Sequence, residues 1–195
     1  MRLRQALIII DVQNDFCPSG ALAVPEGDRI VPVLNKYINL CQNKKVPVFA
    51  TRDWHPKKTR HFKKFGGSWP RHCVRLTKGA QFHPKLNLPK NTVIVSKGMD
   101  PEIDGYSAFD SVNDQGVSLL DLLKILRIQR LLIGGLATDY CVKFSVLDAL
   151  KKGFRVGLLI DAVKGVNIKP NDSNKAILLA LKKRAKKITV NRLLR

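Results

Sequence analysis

Cys141 is the residue of this sequence whose position most clearly suits chemistry. It comes shortly after residues 130–133, a short apolar stretch that two glycines end, which predicts a buried strand followed by a sharp turn. Thr138 or Asp139 supplies a capping oxygen for a helix that is predicted to run to Gly153. A thiol in the first turn of that helix meets free backbone N–H groups and the positive end of the helix dipole, and both favour the thiolate. Cys141 is therefore a candidate nucleophile, with a small core cysteine as the alternative.

Two charged residues directly follow other predicted strands. Asp11 ends the aliphatic run of residues 6–10, and Lys97 follows the strand predicted at residues 92–96. Ligands of open α/β sheets bind beyond the carboxyl ends of the strands, so both positions are candidate site positions. The alternatives are an ordinary loop carboxylate for Asp11 and a lysine that extends to the surface for Lys97.

A candidate metal site follows the strand predicted at residues 46–51. Asp53 and His55 alternate in an extended segment and so face the same side, and His72 lies further along the chain. One carboxylate and two imidazoles leave coordination positions open, which suits a catalytic zinc, iron or manganese ion better than a closed structural zinc site. Two surface histidines are the alternative.

The alternation of strands and helices predicts the fold. It indicates an α/β protein, a three-layer αβα sandwich around a mostly parallel, doubly wound, Rossmann-like sheet of about six strands, in one domain over residues 1–195. Asp11, Asp53, Lys97 and Cys141 then meet at the same edge. The predicted strands are residues 6–10, 46–51, 92–96, 130–133, 154–160 and 188–190, and the predicted helices begin near Asp28, Ser118, Thr138 and Asp172.

Composition narrows the class of protein. The 195 residues are 45% hydrophobic, enough for one substantial core, and they contain neither a signal-like start nor a membrane-length apolar run, so we expect a soluble cytoplasmic protein without membrane contact. The four cysteines are scattered without CxxC pairs, which argues against a zinc knuckle or a disulfide framework. The net charge of +20 fits either nucleic acid or a solvated basic surface, and we expect the latter because no nucleic-acid motif accompanies it.

Taken together, six motifs resemble the nicotinamidases of the isochorismatase-like cysteine hydrolase superfamily, and the resemblance covers nearly the whole chain. In order, these are Ile10–Phe16 (IDVQNDF), Thr51–Pro56 (TRDWHP), Trp69–Val74 (WPRHCV), Ser96–Gly98 (SKG), Tyr106–Phe109 (YSAF) and Ala137–Val142 (ATDYCV).

The resemblance implies hydrolysis of nicotinamide to nicotinate and ammonia through a cysteine thioester, in NAD salvage. It also implies one divalent metal ion, with zinc first and iron or manganese as alternatives, and a cis peptide bond before Ala137. The implied site residues are the catalytic Asp11, Lys97 and Cys141, the metal ligands Asp53, His55 and His72, and the substrate-pocket residues Phe16, Trp69, Tyr106 and Ala137.

The chain departs from the family pattern around the metal site. A family histidine is replaced by Thr59, His61 lies two residues further on, and Lys64 stands where some members have a carboxylate. Arg75 and Leu76 replace the usual glutamine and glycine after the H-C-V motif. The sequence thus leaves open whether His61 is a further ligand, and also whether the chain forms a homo-oligomer.

Two other functions compete with this one. A different amidase of the superfamily would keep Asp11, Lys97 and Cys141 without needing the metal ligands. A noncatalytic nucleic-acid-binding protein would need neither set, and its affinity would fall steeply with salt.

Overall fold

The structure is a computed structural model that describes residues 3–193. Among these residues, no helix combines the length and the hydrophobicity that crossing a bilayer requires. The strands are β1 Gln5–Ile10, β2 Val48–Asp53, β3 Val93–Lys97, β4 Arg130–Leu136, β5 Arg155–Lys164 and β6 Lys186–Ile188. The helices are α1 Val31–Asn43, α2 Leu119–Ile125, α3 Lys143–Lys151, α4 Asp172–Lys182 and α5 Val190–Leu193.

The six strands form one parallel sheet in the order β3-β2-β1-β4-β5-β6. The chain moves outward in one direction from β1 to β3 and then crosses back to β4, so the direction of winding reverses between β1 and β4. This reversal leaves a crevice beyond the carboxyl ends of the two central strands, where α/β sheets bind their ligands. The predicted doubly wound sheet is confirmed.

The alternation of side chains along β1 divides the core into two layers. Leu7 and Ile9 pack on the α1 side, whereas Ile8 and Ile10 pack on the opposite side with α2, α3 and α4. All four are almost completely buried, and burying one such aliphatic side chain stabilises the fold by roughly 1.5–3 kcal/mol. The unbroken apolar run is needed because helices cover both faces of the sheet.

Several predicted boundaries are wrong. The last strand is Lys186–Ile188 and not 188–190, because Val190 begins α5, where its N–H donates to Asp161 Oδ2 at 2.8 Å. Helix α1 begins at Val31 rather than at Asp28, which instead lies in a preceding 3-10 turn.

Candidate active site

Cys141 lies in an irregular turn between β4 and α3. Residues Thr138–Val142 form a single widened helical turn, with Tyr140 at non-helical angles of φ −124° and ψ −105°. The peptide bond between Leu136 and Ala137 is cis, as the resemblance implies. The predicted capping by Thr138 or Asp139 is wrong, because α3 begins only at Lys143 and neither side chain caps the turn.

Lys97 is the central group of the site. The register of β2 and β3 pairs Asp53 with Lys97, and the lysine side chain is fully buried, so it does not extend to the surface. Its Nζ lies 2.8 Å from Asp11 Oδ2 and 3.5 Å from Cys141 Sγ, and it also contacts Asp53 Oδ1. The four residues predicted at one sheet edge therefore meet around a single ammonium group.

Burial and charge attraction act against each other on the pKa values of these four groups. Burial raises the pKa of the Cys141 thiol well above its ordinary value, and Asp11 and Asp53 add to this rise while Lys97 opposes it. Burial also raises the pKa of Asp11, again against the effect of Lys97. Although burial opposes charge on Asp53 and Lys97 as well, attraction to Lys97 lowers the pKa of Asp53, and attraction to Asp11 and Asp53 raises the pKa of Lys97. Burial thus favours the neutral thiol of Cys141, and the neighbouring Lys97 ammonium group opposes this effect.

Two side chains that the sequence analysis did not select hold the carboxylates in place. Thr51 donates from Oγ1 to Asp11 Oδ1. Gln13 donates from Nε2 to the Asp53 carbonyl oxygen at 2.8 Å, and its Oε1 accepts from the Asp53 N–H at 2.8 Å. Asp11 and Asp53 are thus fixed before any ligand arrives.

Three buried histidines form a cluster beside Asp53. Possible ligand atoms of His55, His61 and His72 lie within 4.8 Å of one another. Each ring donates from Nδ1 to an acceptor outside the cluster: His55 to the Gly98 carbonyl oxygen at 2.9 Å, His61 to Asp104 Oδ1 at 2.7 Å and His72 to the Pro70 carbonyl oxygen at 2.7 Å. Every Nε2 therefore keeps its lone pair for another partner.

The donor set fits a divalent transition metal. His55 Nε2 is buried without a hydrogen-bond partner among the described residues, and such an atom is costly unless something binds it. Asp53 Oδ2 lies 3.7 Å from His55 Nε2 and 4.0 Å from His72 Nε2. Ligand atoms about 2 Å from one ion are at most about 4 Å apart, so these separations suit zinc or a similar ion.

His61, which the sequence left undecided, lies inside this cluster. Thr59 accepts from the His61 N–H at 3.2 Å and donates to the Pro101 carbonyl oxygen at 3.0 Å. Thr59 thus ties the His61 segment to the loop that carries Asp104.

The predicted substrate residues line one narrow cavity above Cys141. Phe16, Trp69 and Tyr106 form its aromatic walls, and Trp69 Nε1 donates to the Tyr106 hydroxyl at 2.8 Å. Asp53, His61 and His72 reach the same cavity from the cluster side. The cavity also contacts Ala137, Leu22, Tyr140 and Val166, of which the last three were not predicted.

Known proteins that are similar to this chain in sequence and structure include nicotinamidases and a pyrazinamidase. The isochorismatase domain matches residues 5–190. The nicotinamidase of Escherichia coli K12 is 44% identical over 190 residues, which cover 89% of each chain. Among solved structures, the pyrazinamidase of Pyrococcus horikoshii in complex with zinc has a TM-score of 0.88 and 45% identity, covering 95% of this chain and 99% of that one. The L. infantum protein PnC1 in complex with nicotinate has a TM-score of 0.86 and 34% identity, covering 96% of this chain and 93% of that one.

Proposed function

This chain belongs to the isochorismatase domain family, and on that premise we propose that it hydrolyses nicotinamide to nicotinate and ammonia. The observation that carries the proposal is the single cavity that is lined by the buried Cys141 thiol, by Asp53 and two of the three clustered histidines, and by aromatic walls. An amide on an aromatic ring fits this arrangement, since the ring occupies the aromatic slot and the carbonyl carbon faces the sulfur. NAD salvage is the process that such an activity would serve.

In the first chemical step, Asp11 takes the proton of the Cys141 thiol and the sulfur attacks the amide carbon. Burial raises the pKa of the Asp11 carboxyl, which makes its carboxylate a better base, and Lys97 stabilises the thiolate as it forms. Asp11 then returns the proton to the departing nitrogen, so the C–N bond breaks, ammonia leaves and a thioester remains. Water adds to the thioester, releases nicotinate and restores the thiol.

The tetrahedral intermediate carries a negative oxygen that needs hydrogen-bond donors. Ala137 and Cys141 line the cavity, and their backbone N–H groups are the candidates for this role. Removal of one such donor typically costs about 3 kcal/mol of transition-state stabilisation.

Asp53, His55, His72 and His61 would together hold a divalent metal beside the cavity. Such an ion supplies a Lewis-acid attachment point for the pyridine nitrogen or for water beside it. Phe16 and Trp69 would hold the ring between them, so that its amide stays over Cys141. The closest rival function, another amidase of the family, gives no reason for four buried ligand side chains here.

The test of this function is ammonia release from nicotinamide by the purified enzyme, measured with and without a chelator, alongside elemental analysis. We expect stoichiometric transition metal and an activity that falls on chelation chiefly through a higher KM, because the ion is proposed to position the ring. Full activity in protein that contains no transition metal would favour the metal-free amidase alternative.

The first prediction tests the hydrogen bond between His61 and Asp104. Asp104→Ala should weaken metal binding by about 10- to 100-fold, the usual effect of removing the partner that orients a ligand histidine. His61→Ala should weaken it at least as much. Competition with a chromogenic chelator measures these affinities without any use of activity.

Three variants make this measurement specific. Asp104→Asn keeps an oxygen acceptor for His61 Nδ1 and should retain more of the affinity than Asp104→Ala. Glu102→Ala, on the same loop, and His83→Ala, outside the cluster, should leave the affinity unchanged. Equal affinities in wild type and His61→Ala would remove His61 from the ligand set.

A further inference from the structure

A basic cavity lies at the amino ends of the strands, whereas Cys141 lies beyond their carboxyl ends. It has a volume of about 590 Å³ and no acidic residue in its lining. Three of its cations, Arg130, Arg155 and Lys186, are the first residues of β4, β5 and β6, and Lys183 and Arg184 come from the turn between α4 and β6. None of these five side chains forms an ion pair within residues 3–193.

The strand register brings like charges together at this cavity. Arg130 on β4 pairs directly with Arg155 on β5. Lys186 on β6 pairs with Gly157, two residues after Arg155 on β5. A Cβ at Gly157 would lie 2.8 Å from Ile188 Cγ1 and 3.0 Å from Leu132 Cδ2, so the glycine leaves room for these apolar side chains, and Arg130 Nη2 lies beside the same position at 3.7 Å. Like charges that face each other across a sheet destabilise it. An anion in the cavity would remove this repulsion.

Helix dipoles account for only part of the cluster. Lys183 follows the carboxyl end of α4, where cations are favourable in any protein. Arg130, Arg155 and Lys186 begin strands, which carry no comparable dipole, so their convergence needs another reason. An anionic ligand supplies that reason.

We propose that this cavity binds a small polyphosphate, that is, two or three linked phosphate groups, either free or carried by a nucleotide. Five cations in one concavity match the charge of such a group, and the volume lies within the usual range for small-molecule sites. Leu150 and Phe154 form an apolar wall beside the cations, which would face the organic part of a nucleotide. The proposal does not depend on the nicotinamide activity, because none of these residues reaches the Cys141 cavity.

The experiment is calorimetric titration of the purified protein with inorganic triphosphate and with adenosine triphosphate, at about 0.15 M salt. The test variant carries Arg155→Gln, Arg184→Gln and Lys186→Gln. The matched control carries Lys36→Gln, Lys85→Gln and Lys90→Gln, which remove the same charge at exposed positions outside the cavity. We expect at least about tenfold weaker binding in the test variant and less than twofold in the control. Tighter binding of adenosine triphosphate than of inorganic triphosphate would identify a nucleotide as the ligand, and equal binding would identify free polyphosphate.

Three results would overturn the proposal. One is no binding of either probe by the wild type. Another is equal affinity in the two triple variants, either reduced in both, which would reflect only net charge, or unchanged in both, which would reflect chelation of a metal at the other cavity. The third is a single-stranded 20-mer that binds more tightly than triphosphate and loses affinity in the test variant, which would make the surface a nucleic-acid site. Thermal melting checks the fold, and the single variant Lys186→Gln serves if the triple variant unfolds.

Discussion

Cys141→Ala should abolish ammonia release from nicotinamide while leaving the fold and the metal content unchanged. The substitution removes the sulfur that lies 3.5 Å from Lys97 Nζ and the only thiol that borders the aromatic cavity among the described residues. Without it no thioester forms, and the remaining groups have no nucleophile to present to the amide carbon. A steady-state assay measures the loss of ammonia release, and elemental analysis measures the metal content.

The other three cysteines provide the controls. Cys17→Ala, Cys41→Ala and Cys73→Ala should each retain substantial activity, because, unlike Cys141, none of these three cysteines lines the aromatic cavity. Iodoacetamide should label Cys141 stoichiometrically as activity is lost, and nicotinate should protect it. Labelling of Cys73 in step with inactivation would disprove the assignment of Cys141.

Asp11→Asn should lower kcat by at least roughly 10²- to 10⁴-fold, the contribution usually found for a general acid–base residue. Asparagine has nearly the same shape and can still accept from Thr51 through its amide oxygen. It cannot take the thiol proton or return it to the leaving nitrogen. Steady-state kinetics with nicotinamide measure the loss.

Thr51→Ala separates the chemical role of Asp11 from its placement. This variant removes a hydrogen bond to the Asp11 carboxylate but leaves the base itself, so its kcat should lie between those of wild type and Asp11→Asn. An Asp11→Asn enzyme with more than a tenth of the wild-type kcat would mean that another group moves the proton.

The sequence correctly predicted the features that depend on where the strands lie in the chain. The aliphatic runs locate β1 and β4, and since parallel strands end at the same edge, Asp11, Asp53, Lys97 and Cys141 had to approach one another. The short β6 was misplaced by two residues because Ile188, Thr189 and Val190 all favour strands. Val190 instead joins α5, where its N–H finds the Asp161 carboxylate.

Contacts between residues that lie far apart in the chain could not be predicted from the sequence. His61 was left undecided because its partner Asp104 lies 43 residues away on another loop. Gln13 likewise gave no signal of its own, since its clamp on Asp53 spans 40 residues. The helix cap expected at Asp139 failed for the same reason, because that carboxylate has better donors elsewhere.

Those donors are the N–H groups of Val166 and Asn167, at 2.9 and 2.7 Å from the two Asp139 oxygens. Asp139 belongs to the same turn as Cys141, and Val166 lines the cavity, so one carboxylate ties the turn that carries Cys141 to the wall that carries Val166. The two bonds join segments 27 residues apart in the chain. A movement of the Val166 wall would therefore have to break these bonds or displace the turn that holds the sulfur.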